Sequence, residues 1–292
     1  MPKISFRKSI PGYLFVLPLF IPLLIFNYYP PISGIYHSFF DWNNIGTSTF
    51  IGLDNFKELF QDEVFLNSIP TMLKLMIPKL IIGIVVPLIF AEMIFAVRNS
   101  RAKYWYRVLT LLPMVAPGVV NLMIWRFIYD PANGIVTTIS HLFGGTENID
   151  MMGNPSTVIL AVILIGFPWI GGTSVLIYMS GIMSISNEVI EASQLDGCST
   201  LKRIFYIDLP ALLGQIKYFL VFGIIGGLQD YGTQMVLTKG GPGYETYVPG
   251  YHMYMEAFNS QRMGYACAIG TVMFVVIFVI TVATYRFVRT RD

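Results

Sequence analysis

Ser184-Ile185-Ser186-Asn187-Glu188-Val189-Ile190-Glu191-Ala192-Ser193-Gln194-Leu195-Asp196-Gly197-Cys198-Ser199-Thr200-Leu201-Lys202-Arg203-Ile204-Phe205-Tyr206-Ile207-Asp208-Leu209-Pro210 is a polar island between two strongly apolar stretches. It reads as helix, turn, helix. Ser186 or Asn187 can cap a first helix, and Glu188 falls in its first turn, where the helix dipole favours an acid. Ile185, Val189, Ala192 and Leu195 recur at helical spacing and make an apolar stripe. Asp196-Gly197 supplies the break, because glycine accepts the left-handed conformation that ends a helix. A second short helix is predicted over 200–206, ending before Leu209-Pro210.

What surrounds this island is lipid-soluble. Hydrophobic residues make up 54% of the 292 and charged residues 12%, against roughly 25% charged in an ordinary soluble domain. A bilayer span needs about 20 mainly apolar residues. Six stretches qualify: 12–37, 70–97, 108–129, 157–182, 212–232 and 264–287. The first follows Lys3, Arg7 and Lys8 as a signal peptide would, but Asn27-Tyr28-Tyr29-Pro30-Pro31 stands where a small-residue cleavage site belongs, so it reads as a retained helix. The expected fold is therefore an all-α integral membrane protein of six transmembrane helices. Its parts are an N-terminal segment 1–11, a membrane domain 12–287 that contains the loop 183–211, and a tail 288–292.

Charge orients the bundle. With the N-terminus inside, the inner segments hold twelve basic residues: Lys3, Arg7, Lys8, Arg98, Arg101, Lys103, Arg107, Lys202, Arg203, Arg286, Arg289 and Arg291. The outer loops hold Lys57, Lys239 and Arg262 among ten acids. Basic residues mark cytoplasmic loops, so both termini and the 184–210 island are expected in the cytoplasm. Prolines and glycines punctuate the spans: Pro78 and Pro87, Pro113 and Pro117, Pro168 with Gly171-Gly172, and Gly223, Gly226 and Gly227. Membrane helices tolerate them where neighbours re-satisfy the freed backbone. Cys198 and Cys267 are too far apart in sequence for a redox or metal motif, and His37, His141 and His252 are scattered, so no metal site is expected.

A mere connector needs only a short turn, not about 25 residues of amphipathic helix pair. A helix lying on the membrane is usually basic, whereas this one carries Glu188 and Glu191 on its polar face. A protein partner on the cytoplasmic side is the better reading.

At this point the sequence resembles the membrane subunits of ABC importers. Their pattern of Glu-Ala-Ala, three residues, Gly, then Ile-x-Leu-Pro stands here as Glu191-Ala192-Ser193, Gly197 and Ile207-Asp208-Leu209-Pro210, with Asp196 and Phe205 matching the fuller form. Ser193 and Cys198 replace alanines, and Ser186 stands where the family usually has proline. Thr238-Lys239-Gly240-Gly241-Pro242-Gly243, Gly264-Tyr265-Ala266 and Pro113-Met114-Val115-Ala116-Pro117 resemble the carbohydrate-type permeases in particular. The likeness runs from about residue 12 to 287.

That resemblance implies a type I importer fold in a bacterial or archaeal plasma membrane. The implied assembly has a second permease, expected to be a different chain, two cytoplasmic ATPase subunits, and an extracytoplasmic solute-binding protein. ATP and Mg would be used by the ATPase subunits, since this chain has no G-x-x-x-x-G-K-[ST] loop. This chain itself is expected to have no catalytic site, no cofactor and no nucleic-acid partner. Glu188, Glu191, Ala192, Leu195, Asp196, Gly197 and Phe205 would couple to the ATPase. For the cargo, a sugar or oligosaccharide, Asn121, Trp169, Thr173, Ser174, Gln229, Asp230 and Tyr231 fit a path at mid-membrane depth, where burying polar groups is costly.

Lys79 joins that list as a buried cation that an anionic cargo, such as a uronate oligosaccharide or glycerol phosphate, would use. A structural pairing with Asp230 is the better reading of Lys79, and snorkelling to the surface explains Lys74 and Arg126. A gradient-driven carrier would call for paired buried acids and internal repeats, of which only Glu92 and Asp230 are visible. A membrane enzyme would need a convergent His, Ser or carboxylate set, and none is apparent.

Overall fold

The computed structural model describes residues 6–43, 45–46 and 48–287. The N-terminal segment expected at 1–11 is therefore described from Phe6 onward, and the tail 288–292, with Arg289 and Arg291, lies outside the described residues. The helices are α1 (Phe6–Leu23), α2 (Tyr29–His37), α3 (Asp54–Leu59), α4 (Glu63–Ala96), α5 (Ser100–Leu111), α6 (Gly118–Ile128), α7 (Ile135–Leu142) and α8 (Val158–Leu164). They continue with α9 (Gly172–Met183), α10 (Asn187–Leu195), α11 (Thr200–Arg203), α12 (Leu209–Ala211), α13 (Leu213–Gln229), α14 (Pro249–Phe258) and α15 (Met263–Phe287). A two-residue antiparallel hairpin, β1 (Phe40–Asp41) with β2 (Thr49–Phe50), is a small addition to an otherwise helical chain.

Among the described residues, three helical runs are long and apolar enough to cross a bilayer: Pro11–His37, Glu63–Ala96 and Met263–Arg286. Two bent pairs also pass, Ser100–Val115 with Gly118–Ile128 at 88° and Thr200–Ala211 with Leu213–Thr238 at 67°. The stretch 157–182, expected as one span, is instead two short helices, α8 and α9, around an irregular segment. Proline chemistry explains two of the breaks. Pro117 forces Ala116 out of the helical region, to φ −72° and ψ 132°. Between α8 and α9, Gly166 at φ 90° and the donor-free Pro168 end the helix. Pro78 and Pro87 lie inside α4, yet that helix runs on unbroken for 34 residues.

The described residues form two compact units, those within 1–63 and 252–275 and those within 64–251 and 276–292. In the first, the hairpin is tied down by Asn55, whose Nδ2 donates to the carbonyls of Ser38 (2.9 Å) and Phe40 (3.0 Å). His37 stacks on Trp42 at 4.0 Å, and Gly264 packs so close to Phe40 that a Cβ there would strike the Phe40 carbonyl. Asp62 accepts from Tyr265 Oη (2.7 Å) and pairs with His252 Nε2 (2.9 Å), while Arg262 pairs with Glu58 (2.6 Å) and Glu256 (3.4 Å).

The second unit has a core of Ala91, Ile94, Val175, Tyr178, Met179, Ile182 and Leu212, joining α4, α9 and the start of α13. Small residues let its helices approach. A Cβ on Gly172 would strike the Thr110 carbonyl of α5, and Cβ atoms on Gly223 and Gly227 of α13 would strike Leu80 and Met76 of α4.

Candidate functional site

Two places carry chemistry, and both lie in the second unit. The first is the polar island. Ser186 caps α10, its Oγ accepting from Val189 N (3.4 Å), and Gly197 takes φ 71°, as a left-handed helix stop requires. Ser199 caps α11 in the same way, accepting from Lys202 N (3.4 Å). Glu188, Glu191, Ala192, Asp196 and Gly197 are all exposed, and Leu195 is 88% exposed. Val189, Leu201, Phe205 and Tyr206 also face outward. An apolar stripe with acids beside it is left uncovered by the described residues.

The second helix of the pair does not end before Leu209-Pro210. It passes through a π turn, Ile204–Asp208, and continues as α12 to Ala211. That wider turn has a consequence for side chains. Residues five apart sit about 140° apart on an α-helix, but a π turn closes i to i+5 and brings them to one face. Arg203 Nε accordingly donates to Asp208 Oδ2 at 2.9 Å. Its Nη2 reaches Glu92 Oε2 of α4 at 3.5 Å, and its guanidinium lies 5.4 Å from the Phe95 ring centroid. Lys103 sits 5.2 Å from the same ring and donates to the Phe95 carbonyl at 2.9 Å. Asp208 is 1% exposed and Glu92 8%, and the second oxygen of each has no partner among the described residues.

The second place is a cleft of about 410 Å³ between α4 and α13, lined by Met76, Lys79, Leu80, Gly223, Gly227, Asp230 and Gln234 among others. Lys79 Nζ stands 3.6 Å from Asp230 Oδ2. Gln234 is 1% exposed and its Oε1 has no partner among the described residues. Asp230 is extended (φ −67°, ψ 122°) and ends α13, so its side chain is free of the helix ladder and reaches the lysine.

Of the residues expected along a cargo path, only Asp230 and Lys79 line this cleft. Gln229 and Tyr231 flank Asp230 and are exposed. Trp169, at φ 55°, donates from Nε1 to the Ile163 carbonyl at 3.3 Å. Thr173 Oγ1 lies 3.5 Å from Met114 Sδ, Ser174 is half-buried on α9, and Asn121 is exposed on α6. These are separate positions, not one constellation. Lys74 and Arg126 are exposed, as snorkelling side chains would be.

The comparisons with known proteins bear on the whole of this arrangement. Residues 83–291 match the family model of the binding-protein-dependent transport system inner membrane component. The chain belongs to that family. The match takes in α10–α12, the whole of α13 and the Gly-rich turn after it. Among relatives, a probable ABC transporter permease protein YesP of Bacillus subtilis is 32% identical over 97% of this chain and 92% of its own. The multiple sugar-binding transport system permease protein MsmF of Streptococcus mutans is 28% identical over 93% and 92%.

Among solved structures, a bacterial ABC transporter involved in import of the acidic polysaccharide alginate is 25% identical over 97% of this chain and 96% of that one, with a TM-score of 0.85. A second, an alginate transporter in complex with its alginate pentasaccharide-bound periplasmic protein, is 26% identical with the same TM-score. The chain is thus a membrane component of a transport system with the fold of ABC importer permeases. Sequence reasoning missed Arg203 as the centre of a buried cluster. The signal was an acid, Glu92, inside a predicted span.

Proposed function

We propose that this chain is the transmembrane permease subunit of an ATP-driven importer that takes up a sugar or oligosaccharide handed over by an extracytoplasmic binding protein. The observation that carries the reading is the uncovered α10–α11 pair. An apolar stripe ending in Leu195, flanked by Glu188 and Glu191, has no cover among the described residues and fits a cleft on a cytoplasmic ATPase subunit. The carbohydrate class is supported by the sugar-permease and alginate-transporter likenesses. ATP and Mg serve the two ATPase subunits, whose closure pushes the helix pair and switches the bundle between outward and inward facing. Six spans with both termini cytoplasmic suit the charge distribution, and a second, different permease completes the path in a bacterial or archaeal plasma membrane.

The test is to purify the transporter through a tag on this chain and identify what comes with it by native mass spectrometry. One copy of this chain, one other permease and two ATPase subunits are expected. Uptake of labelled sugar into proteoliposomes should then need both ATP and the binding protein. Two copies of this chain with no other permease would refute the heterodimer, and uptake driven by an ion gradient alone would refute the ABC reading.

A further inference from the structure

Three charged groups join the cytoplasmic helix pair to α4. Arg203 bonds Asp208 within its own π turn and reaches across to Glu92, 111 residues away in sequence. Both acids are buried, yet they share one guanidinium, and each keeps an oxygen with no partner among the described residues. Buried ion pairs are weak contributors to stability, because desolvation offsets the attraction, and their best-attested use is to set registry. Here the cluster has the composition of a registry device: one donor, two acceptors on different elements, and the Phe95 face beside the cation. Most of the remaining large side chains of the pair point outward, with Leu195, Leu201, Phe205 and Tyr206 all exposed.

The far side of the connection is α4. Glu92 and Lys79 are thirteen positions apart on this unbroken helix, about 20 Å at 1.5 Å per residue. One end of that span holds Arg203, and the other lines the cleft with Asp230. We infer that Arg203 is a positioning residue that locks the α10–α11 pair to α4, so that a displacement of the pair is delivered along α4 to the Lys79–Asp230 cleft. A flexible link would absorb the displacement; a guanidinium bonded to two elements moves them together. The inference rests on the importer reading above.

The experiment uses the complete transporter in proteoliposomes, with ATP hydrolysis measured with and without the binding protein. Wild type is compared with Arg203→Gln, Arg203→Lys, Glu92→Gln and the double variant Arg203→Gln/Glu92→Gln. Stimulation by the binding protein should fall about tenfold in Arg203→Gln and Glu92→Gln, within the range of an ordinary coupling energy. The double variant should be no worse than either single one, and Arg203→Lys should recover part of the response. The readout is the ratio of stimulated to unstimulated hydrolysis, which a loss of folded complex does not change. A ratio equal to wild type in both single variants overturns the inference. Additive losses in the double variant overturn it too, because the two groups would then act separately. A wild-type complex that hydrolyses ATP without responding to the binding protein refutes the importer reading instead, and this inference with it.

Discussion

Lys79 Nζ and Asp230 Oδ2 stand 3.6 Å apart across the cleft between α4 and α13. A cation within an apolar span is costly by itself, and the nearby carboxylate offsets its charge. The pair leaves no uncompensated positive charge in the cleft, so a neutral sugar is the expected cargo. Uptake of a neutral oligosaccharide should exceed that of a uronate-bearing one, and Lys79→Gln should not reverse the order. A wild-type preference for the uronate that Lys79→Gln abolishes would show that the lysine serves an anionic ligand.

Gly197 tests the joint of the helix pair. Its φ of 71° disfavours a side chain, while a Cβ there would meet no atom within 4 Å. The cost of a substitution is therefore conformational, about 1–2 kcal/mol for a residue with a Cβ. Gly197→Val should cut uptake about tenfold or more, since 1.4 kcal/mol is a factor of ten. Gly197→Asn should keep most of it, asparagine being tolerant of left-handed geometry. Membrane insertion should be normal in both, as judged by yield of the intact chain.

Leu195 tests docking. At 88% exposure it contributes little to the chain's own packing, so Leu195→Glu should leave thermal stability within about 0.5 kcal/mol. Recovery of the ATPase subunits in a pull-down on this chain should nevertheless drop several-fold. Undiminished recovery would place the ATPase contact elsewhere.

Gly172 tests the packing of α9 on α5. A Cβ would strike the Thr110 carbonyl, a backbone atom that cannot swing aside. Gly172→Ala should destabilise by about 1–3 kcal/mol, the usual range for overpacking. A lower temperature of half-aggregation in detergent would register it. Gly83, where a Cβ meets nothing within 4 Å, serves as the control, and Gly83→Ala should be neutral or slightly stabilising.

How much of this was legible beforehand follows from the range of the interactions involved. The turn at Gly197 and the cap at Ser186 are local, set by residues within four positions, and the sequence signals pointed to both. The apolar stretches were likewise legible as composition. Their breaks were not fully so: Pro78 and Pro87 sit inside an unbroken α4, whereas Pro117 and Pro168 coincide with its opposite. The difference lies in what surrounds the freed backbone groups, and that is a tertiary matter. The continuation of the loop's second helix through a π turn into α12 was hidden because Leu209-Pro210 reads as a stop. The link from Arg203 to Glu92 crosses 111 positions and no periodicity announces it. The expected cargo-path residues stand out by polar or aromatic character and by depth, and neither says that Trp169 turns to the Ile163 carbonyl while Asp230 turns to Lys79.

The irregular segment between α8 and α9 has a bearing on biosynthesis. It interrupts a stretch apolar enough to be read as a span, so its peptide groups, outside any helical ladder, need protein or water rather than acyl chains around them. On the importer reading proposed above, the neighbour that meets those groups is protein, and a chain expressed alone should be lost from the membrane faster than one expressed with its partners.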